Sequence, residues 1–157
     1  MMSNAVSTRR TDEIGKEARN MSPLVWHGMF LFLLGLLTGF FEQAFVNPRM
    51  GLAAHLEGVM NGTFLLALGA VWGGVRLSSR PKAVAYWSSL YGTYANWALT
   101  TLAAVFGTGA MSPILAAGRS AQAWQERLVT VGFITVGLAM VVASVIVLWG
   151  LRRHANA

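Results

Sequence analysis

The sequence predicts an all-α membrane protein, a bundle of four transmembrane helices with both termini in the cytoplasm. Three observations predict it. Of the 157 residues, 55% are hydrophobic and 11% are charged, and the mean hydropathy is +0.52. Four apolar runs cover about residues 24–45, 52–75, 84–106 and 128–151, each near the ~20 residues that cross ~30 Å of hydrocarbon. Basic residues are placed unequally around these runs.

The runs divide the chain into a polar tail over residues 1–22, one membrane domain over residues 23–152 and a short tail over residues 153–157. The first tail carries both charge signs and precedes a full-length span, so it does not resemble a signal peptide. The breaker Asn47-Pro48 separates the first two spans, and "RLSSRPKA" separates the second and third. A long loop rich in Gly and Ser precedes the fourth span, with a short helix expected near residues 122–127.

The placement of basic residues predicts the topology. Nine of the twelve Lys and Arg side chains precede span 1, lie between spans 2 and 3, or follow span 4. The other three are Arg49, Arg119 and Arg127. By the positive-inside rule, both termini are therefore cytoplasmic. The net charge of +6 is explained by topology and anionic lipid, so no nucleic-acid partner is expected. The chain has no cysteine, which excludes thiolate chemistry.

Polar residues mark two faces of span 2. At about 100° per residue, Gly58, Gly62 and Gly69 lie within about 60° of His55, so the histidine stands above a glycine stripe. Glu57 and Asn61, spaced i, i+4, lie on a different face. Ionisable groups inside a membrane are costly, which makes them candidates for function. An interfacial histidine with one hydrogen bond, over glycines that simply pack against another helix, is the alternative.

Residues at the same depth in antiparallel spans can lie side by side, and this brings further polar residues into one group. Counting from the outer ends of the spans, Asn96 matches Asn61, while Thr100 and Thr101 match His55. Tyr94 shares a helix with Asn96, although its aromatic ring is equally consistent with packing. His27 lies at the cytoplasmic end of span 1, more than ~20 Å from His55 by helix rise. The two histidines are therefore not expected to bind one haem within one subunit.

The stretch "NPRMGLAAHLEGVMNGTFLLALGAVW", with "HGMFLFLLGLLTG" before it and "YGTYANW" after it, resembles the hydroxylaminobenzene mutase family. The resemblance covers about residues 24–110. It implies an intramolecular transferase that converts hydroxylaminobenzene and related arenehydroxylamines to 2-aminophenols, a Bamberger-type rearrangement in the breakdown of nitroaromatic compounds. It also implies a multi-pass protein of the bacterial inner membrane.

The chain also resembles, more distantly, the styrene oxide isomerase family. His27-Gly28, the six-residue spacing of His55 and Asn61, and Asn96 carry that resemblance. It implies that the protein binds haem b, with His55 as the metal ligand and ferric iron as a Lewis acid on the substrate oxygen. It also implies a homo-oligomer, with a trimer favoured. The third-span acid and tyrosine of that family fall on Gly92 and Thr100 here. Gly58 and Gly62 are then expected to make room for the porphyrin.

These resemblances imply roles for the remaining polar residues. Asn61, Asn96 and Tyr94 are expected to orient the substrate, with Thr100 nearby, and Glu57 to move a proton. Three alternatives stay open. They are an epoxide isomerase on the same scaffold, a metal-free mutase with Glu57 as its acid, and a non-enzymatic membrane haem protein or carrier.

Overall fold

The computed structural model describes residues 22–155, and this part of the chain is helical with no strand. Three long helices come first: α1 over Pro23–Phe40, α2 over Pro48–Val71 and α3 over Ser79–Phe106. A short α4 over Pro113–Ala116 precedes the long α5 over Ala123–Ala155. Single 3-10 turns occupy Glu42–Ala44 and Trp72–Gly74. The predicted tail over residues 1–22 lies almost wholly outside the described residues.

Polar caps and prolines set the helix starts. Ser22 caps α1 and Asn47 caps α2, with Pro23 and Pro48 in the first turns, where a missing backbone N–H costs nothing. Gly107 ends α3 at a φ of 70°, a left-handed conformation that glycine adopts without strain. The short helix expected near residues 122–127 is the beginning of α5, which continues without a break through the fourth apolar run.

α1 packs closely along the glycines of α2. A Cβ on Gly35 would lie 2.5 Å from the backbone nitrogen of Val59, and one on Gly62 would lie 2.5 Å from that of Phe32. Gly58 meets Gly35 backbone to backbone, and Gly69 faces Val25. Such small residues let membrane helices approach and gain van der Waals contact. The glycine stripe is therefore a helix contact within one chain.

α3 packs on another side of α2, and α5 packs chiefly along α3. At that second contact Leu99 of α3 fits over Gly132 of α5, and Met140 of α5 fits over Gly92 of α3. A larger side chain at either glycine would meet atoms 2.5 to 2.6 Å away. The helices therefore follow one another in the order α1, α2, α3, α5, and α5 keeps most of its apolar surface exposed.

Three described helices are long and apolar enough to cross a membrane: Pro23–Phe40, Pro48–Gly74 and Ala123–Arg152. The third predicted span, within α3, has the length but is more polar. Its hydroxyls are satisfied inside the helix, as when Ser89, Thr93 and Thr100 donate to carbonyls one turn earlier at 2.8 Å. The four-span count and the side on which the termini lie stay predictions.

Candidate functional site

A carboxylate joins α2 to α3 near the middle of both helices. Oε2 of Glu57 accepts hydrogen bonds from Nδ2 of Asn61 at 3.0 Å and from Nδ2 of Asn96 at 2.5 Å. Asn61 is one turn along the same helix, so helical spacing alone places it beside Glu57. Asn96 arrives from α3, at the depth that the sequence predicted. Glu57 and the two amides are called the polar triad below.

The polar triad borders a small cavity between α2, α3 and α5. Its volume is about 260 Å³, slightly below the roughly 300–1,000 Å³ that is usual for drug-sized ligands. Glu57, Asn96 and Thr100 supply polar groups to a wall that is otherwise largely apolar. The remaining lining residues are Met50, Ala53, Met111, Ser112, Leu115 and Phe133. A cavity of this size and lining suits a small aromatic molecule with one polar group.

The two carboxylate oxygens of Glu57 differ in their hydrogen bonding. Both amide donors meet Oε2, and no hydrogen bond to Oε1 occurs within the described residues. No side-chain polar atom in that part of the chain is buried without a partner, so Oε1 is accessible. Glu57 itself lines the cavity, so its side chain can contact a molecule bound there.

His55 lies on the α1 side of α2, and its hydrogen bond fixes its tautomer. Nδ1 lies 2.8 Å from the carbonyl oxygen of Gly35. A carbonyl only accepts, so Nδ1 carries a proton, and in the neutral imidazole Nε2 is then the nitrogen with the lone pair. The ring packs against Gly39, and it is half-buried. Histidines that ligate metals commonly donate their other ring N–H to a carbonyl or carboxylate in this way.

The structure separates the predicted residues into two places. Glu57, Asn61, Asn96 and Thr100 lie together at or beside the cavity. His55, Gly58 and Gly62 face α1 instead. The sequence therefore predicted two polar faces correctly. The open glycine surface that it predicted for a porphyrin is absent within the chain, because α1 covers Gly58 and Gly62.

Tyr94 is not beside the polar triad, which corrects the expected grouping. Its hydroxyl lies 3.2 Å from both Nδ1 and the carbonyl oxygen of His27 on α1. Residues two apart on a helix point about 160° apart, and Asn96 uses the face toward Glu57. His27 is thus tied to α3, and it lies twelve residues before the Gly39 that contacts His55, or ~18 Å along α1.

The sequence reading missed the segment that closes the cavity. Residues 107–121, called the roof below, supply Met111, Ser112 and Leu115 to the lining. Asn47 is fully buried and donates from Nδ2 to the carbonyl oxygen of Leu115 at 2.9 Å. The sequence signal for this segment was Glu126, an acidic residue at the start of an apolar span, because its side chain also binds the roof.

Comparisons with known proteins agree on one family. A family model described as styrene oxide isomerase matches residues 21–152. Hydroxylaminobenzene mutase HabB of Ectopseudomonas oleovorans is 49% identical over 126 residues, which cover 80% of this chain and 77% of the relative. Hydroxylaminobenzene mutase HabA of the same organism is 41% identical over 127 residues, covering 80% and 94%. No solved structure matches the chain.

Proposed function

The chain belongs to the styrene oxide isomerase family and is an isomerase, and from this premise we propose that it converts hydroxylaminobenzene and related arenehydroxylamines to 2-aminophenols. Two relatives that are named hydroxylaminobenzene mutase align with this chain over 77% and 94% of their own lengths. The observation that supports it here is the polar triad beside a small, largely apolar cavity that Glu57 lines, with one Glu57 oxygen accepting both amide hydrogen bonds.

The cavity is matched to the two ends of such a substrate. The aryl ring takes the apolar part, against Met50 and Phe133, and the N–OH group takes the polar part, beside Glu57 and Asn96. Ring burial supplies most of the binding energy, at about 25 cal/mol per Å² of apolar surface removed from water. The polar residues choose the orientation. The substrate partitions into the bilayer, so a membrane-embedded site has ready access to it.

The reaction needs a group that first donates a proton to the substrate and later accepts one from it. Glu57, protonated on Oε1, gives its proton to the hydroxyl oxygen, and the N–O bond breaks as that oxygen leaves as water. Attack of that water on the ortho carbon forms the C–O bond and releases one of its O–H protons, and the ortho C–H proton then moves to the nitrogen, which becomes an amine as the ring regains its aromaticity. The Glu57 carboxylate takes the released proton. No electrons are exchanged with an outside partner, so the net change is an isomerisation.

Asn61 and Asn96 assist Glu57 in this proton transfer through their hydrogen bonds. Both donate to Oε2, which acts as the carbonyl-type oxygen when Oε1 is protonated and as an anionic oxygen after transfer. Hydrogen bonds to a carboxylate strengthen as charge develops on it. The amides therefore stabilise the state that follows proton donation, and because both use Oε2 they leave Oε1 for the substrate.

We further propose that His55 holds haem b. The tautomer fits, since Nε2 has a free lone pair, and neutral imidazole is a common haem ligand. Exposed apolar side chains, Leu52 and Leu56, flank the histidine in the sequence. Ferric haem would supply a Lewis acid for the hydroxyl oxygen. Because Gly58 and Gly62 are covered by α1, the macrocycle would lie outside the α1–α2 contact.

This placement makes a homo-oligomer part of the proposal. His55 and the polar triad use different faces of α2, so one chain does not present both to one substrate. A neighbouring chain that presents its His55 face to the cavity would complete the site. A ring of identical interfaces is a common solution, and the trimer number comes from the family resemblance. Native mass spectrometry in mild detergent should then show trimers, and an active monomer would exclude a shared site.

The proposal includes a multi-pass protein of the bacterial inner membrane, with α3 as the fourth span. Several polar side chains of α3 support this, because their hydrogen bonds go to its own carbonyls, to Glu57 or to other helices of the bundle. A polar group satisfied inside the protein does not need water. Such a helix can therefore be polar and still cross the bilayer.

Product analysis tests the proposed function. Purified protein is incubated with hydroxylaminobenzene and, separately, with styrene oxide, and an absorption spectrum of the same sample reports haem. We expect 2-aminophenol from the first substrate. Preferred turnover of styrene oxide would favour the epoxide isomerase that the family model is named for. A 2-aminophenol product without a haem spectrum would leave Glu57 as the acid and remove the cofactor.

A further inference from the structure

Glu126, in the first turn of α5, is bound to the backbone of the roof at both ends. Oε1 accepts the N–H of Gly109 at 2.9 Å and of Ala121 at 3.0 Å, and Oε2 accepts that of Ala110 at 3.0 Å. One carboxylate thus joins the beginning and the end of a fifteen-residue segment. Hydrogen bonds to an ionised acceptor are stronger than those between neutral groups.

The middle of the roof is what closes the cavity. Met111, Ser112 and Leu115 line the space beside Glu57, and Ala116 is buried beneath them. Asn47 fixes this middle portion through the carbonyl of Leu115, and its own N–H donates to Ala104 at 3.0 Å. The roof is therefore bound from two sides, by the α1–α2 turn and by α5, and its middle portion forms part of the cavity wall.

Water access decides the product of the proposed reaction. After N–O cleavage the aryl ring carries positive charge, and in bulk water it is attacked chiefly at the para carbon, which gives 4-aminophenol. In a closed cavity the water that left the nitrogen is the nearest nucleophile, and it lies beside the ortho carbon. Excluding solvent in this way prevents side reactions of a reactive intermediate.

We propose that Glu126 is a positioning residue that holds the roof closed and so directs oxygen to the ortho carbon. The proposal rests on the proposed function for its chemistry, although the roof contact itself is independent of it. Glu126 does not line the cavity and acts only through the backbone of the roof. Its loss should therefore change which product forms as well as how fast.

The first arm of the test measures the roof without any substrate. The chain has no cysteine, so Ser112→Cys gives one thiol on the cavity side of the roof. Maleimide labelling of that thiol is timed in the Glu126→Ala and Glu126→Gln backgrounds. Gln125→Ala is the matched control, because the Gln125 side chain accepts only the N–H of Gln122 at 2.9 Å, outside the roof.

Labelling in the Glu126→Ala background should be about tenfold faster or more, which is the change expected from losing one hydrogen bond to a charged group. Glu126→Gln should fall between, because its remaining oxygen can still accept from Gly109 and Ala121. Gln125→Ala should match the parent. Equal labelling in all four proteins would overturn the proposal. The Gln variant keeps the test valid if the Ala variant does not fold.

The second arm measures products from hydroxylaminobenzene in ¹⁸O-labelled water. Glu126→Ala should raise the share of 4-aminophenol and of solvent oxygen several-fold, while Gln125→Ala leaves both at the parent value. A slower reaction with an unchanged product ratio would mean that Glu126 is merely structural, and the proposal would fail. If the parent makes no aminophenol, the proposed function fails together with the product role, and labelling alone reports the roof contact.

Discussion

At the scale of single residues, the decisive feature is that two amides converge on one oxygen of Glu57. An isolated carboxyl group in a membrane would be held as the neutral acid by its surroundings. Here Asn61 and Asn96 both donate to Oε2, and hydrogen bonds to a carboxylate are stronger than those between neutral groups. The proposed proton transfer rests on this pairing, which leaves Oε1 without a partner among the described residues.

Asn96→Leu tests this account, because it removes the donor that comes from α3. Activity should fall by about tenfold to a hundredfold, the range set by one hydrogen bond to a charged group. Initial rates with hydroxylaminobenzene provide the measurement. Thr101→Val is the control, since the Thr101 hydroxyl donates within its own helix to the carbonyl of Trp97. Equal losses in both variants would show a general weakening of α3 instead.

His55→Ala tests the cofactor proposal. We expect the haem absorption band to be lost, because among the described side chains no other imidazole lies at that place, and His27 is bound to Tyr94. The absorption spectrum and an iron assay on purified protein measure it. His27→Ala should retain the band. If haem remained bound at full occupancy in His55→Ala, the ligand would have to be another residue.

Both the correct and the wrong site predictions have physical reasons at this scale. Helical geometry placed Glu57 beside Asn61 and away from His55, since 100° per residue is a property of the backbone. Depth matching brought Asn96 to the right level but misplaced Tyr94, because depth says nothing of rotation about the helix axis. The roof was missed because loop conformation depends on contacts such as Asn47 with Leu115, which no periodic pattern announces.

At the scale of helices, the close approach of α1 and α2 determines what the glycines do. Small residues spaced four apart can accept either a flat ligand or another helix, and sequence alone does not choose between them. In the folded chain Gly35 and Gly58 meet backbone to backbone, and Trp97 of α3 packs against the same point. The space is filled, so the stripe contributes packing energy.

Gly58→Ala should therefore destabilise the fold by about 1–3 kcal/mol, the usual cost of overpacking a core. Thermal unfolding in detergent, followed by circular dichroism, measures the change. Gly137→Ala is the control, because nothing lies within 4 Å of a Cβ at that position of α5. The control should be neutral or slightly stabilising, since alanine favours helix over glycine. Similar melting temperatures for both variants would contradict the close α1–α2 contact.

At the scale of the whole molecule, three of the four predicted spans are helices long and apolar enough to cross a membrane, and hydropathy alone leaves α3 undecided. The sequence places α3 among the spans by its length, yet the Ser, Thr and Asn residues of its bundle face lower its hydropathy. Inside the chain those groups are satisfied, which a hydropathy average cannot register. The same reasoning applies to α5. It packs chiefly on α3 and leaves most of its surface exposed, and it is the most apolar of the candidate spans.

Topology follows from the basic residues and is tested by labelling from outside the cell. Because the chain has no cysteine, Ala117→Cys and Ser78→Cys each report one connection, and both positions are exposed. A membrane-impermeant maleimide should label the first in intact cells and the second only after lysis. The reverse pattern would place both termini outside, and labelling of both from outside would remove α3 as a span.

The most direct measurement of the central claim is the product formed from hydroxylaminobenzene by purified protein and by its Glu57→Gln variant. Glutamine keeps the size of the side chain and an oxygen for the two amides but has no proton to give. We expect 2-aminophenol from the parent and a rate lower by about a hundredfold or more in the variant, as for other acid–base residues. An unchanged rate of 2-aminophenol formation in Glu57→Gln would contradict the account.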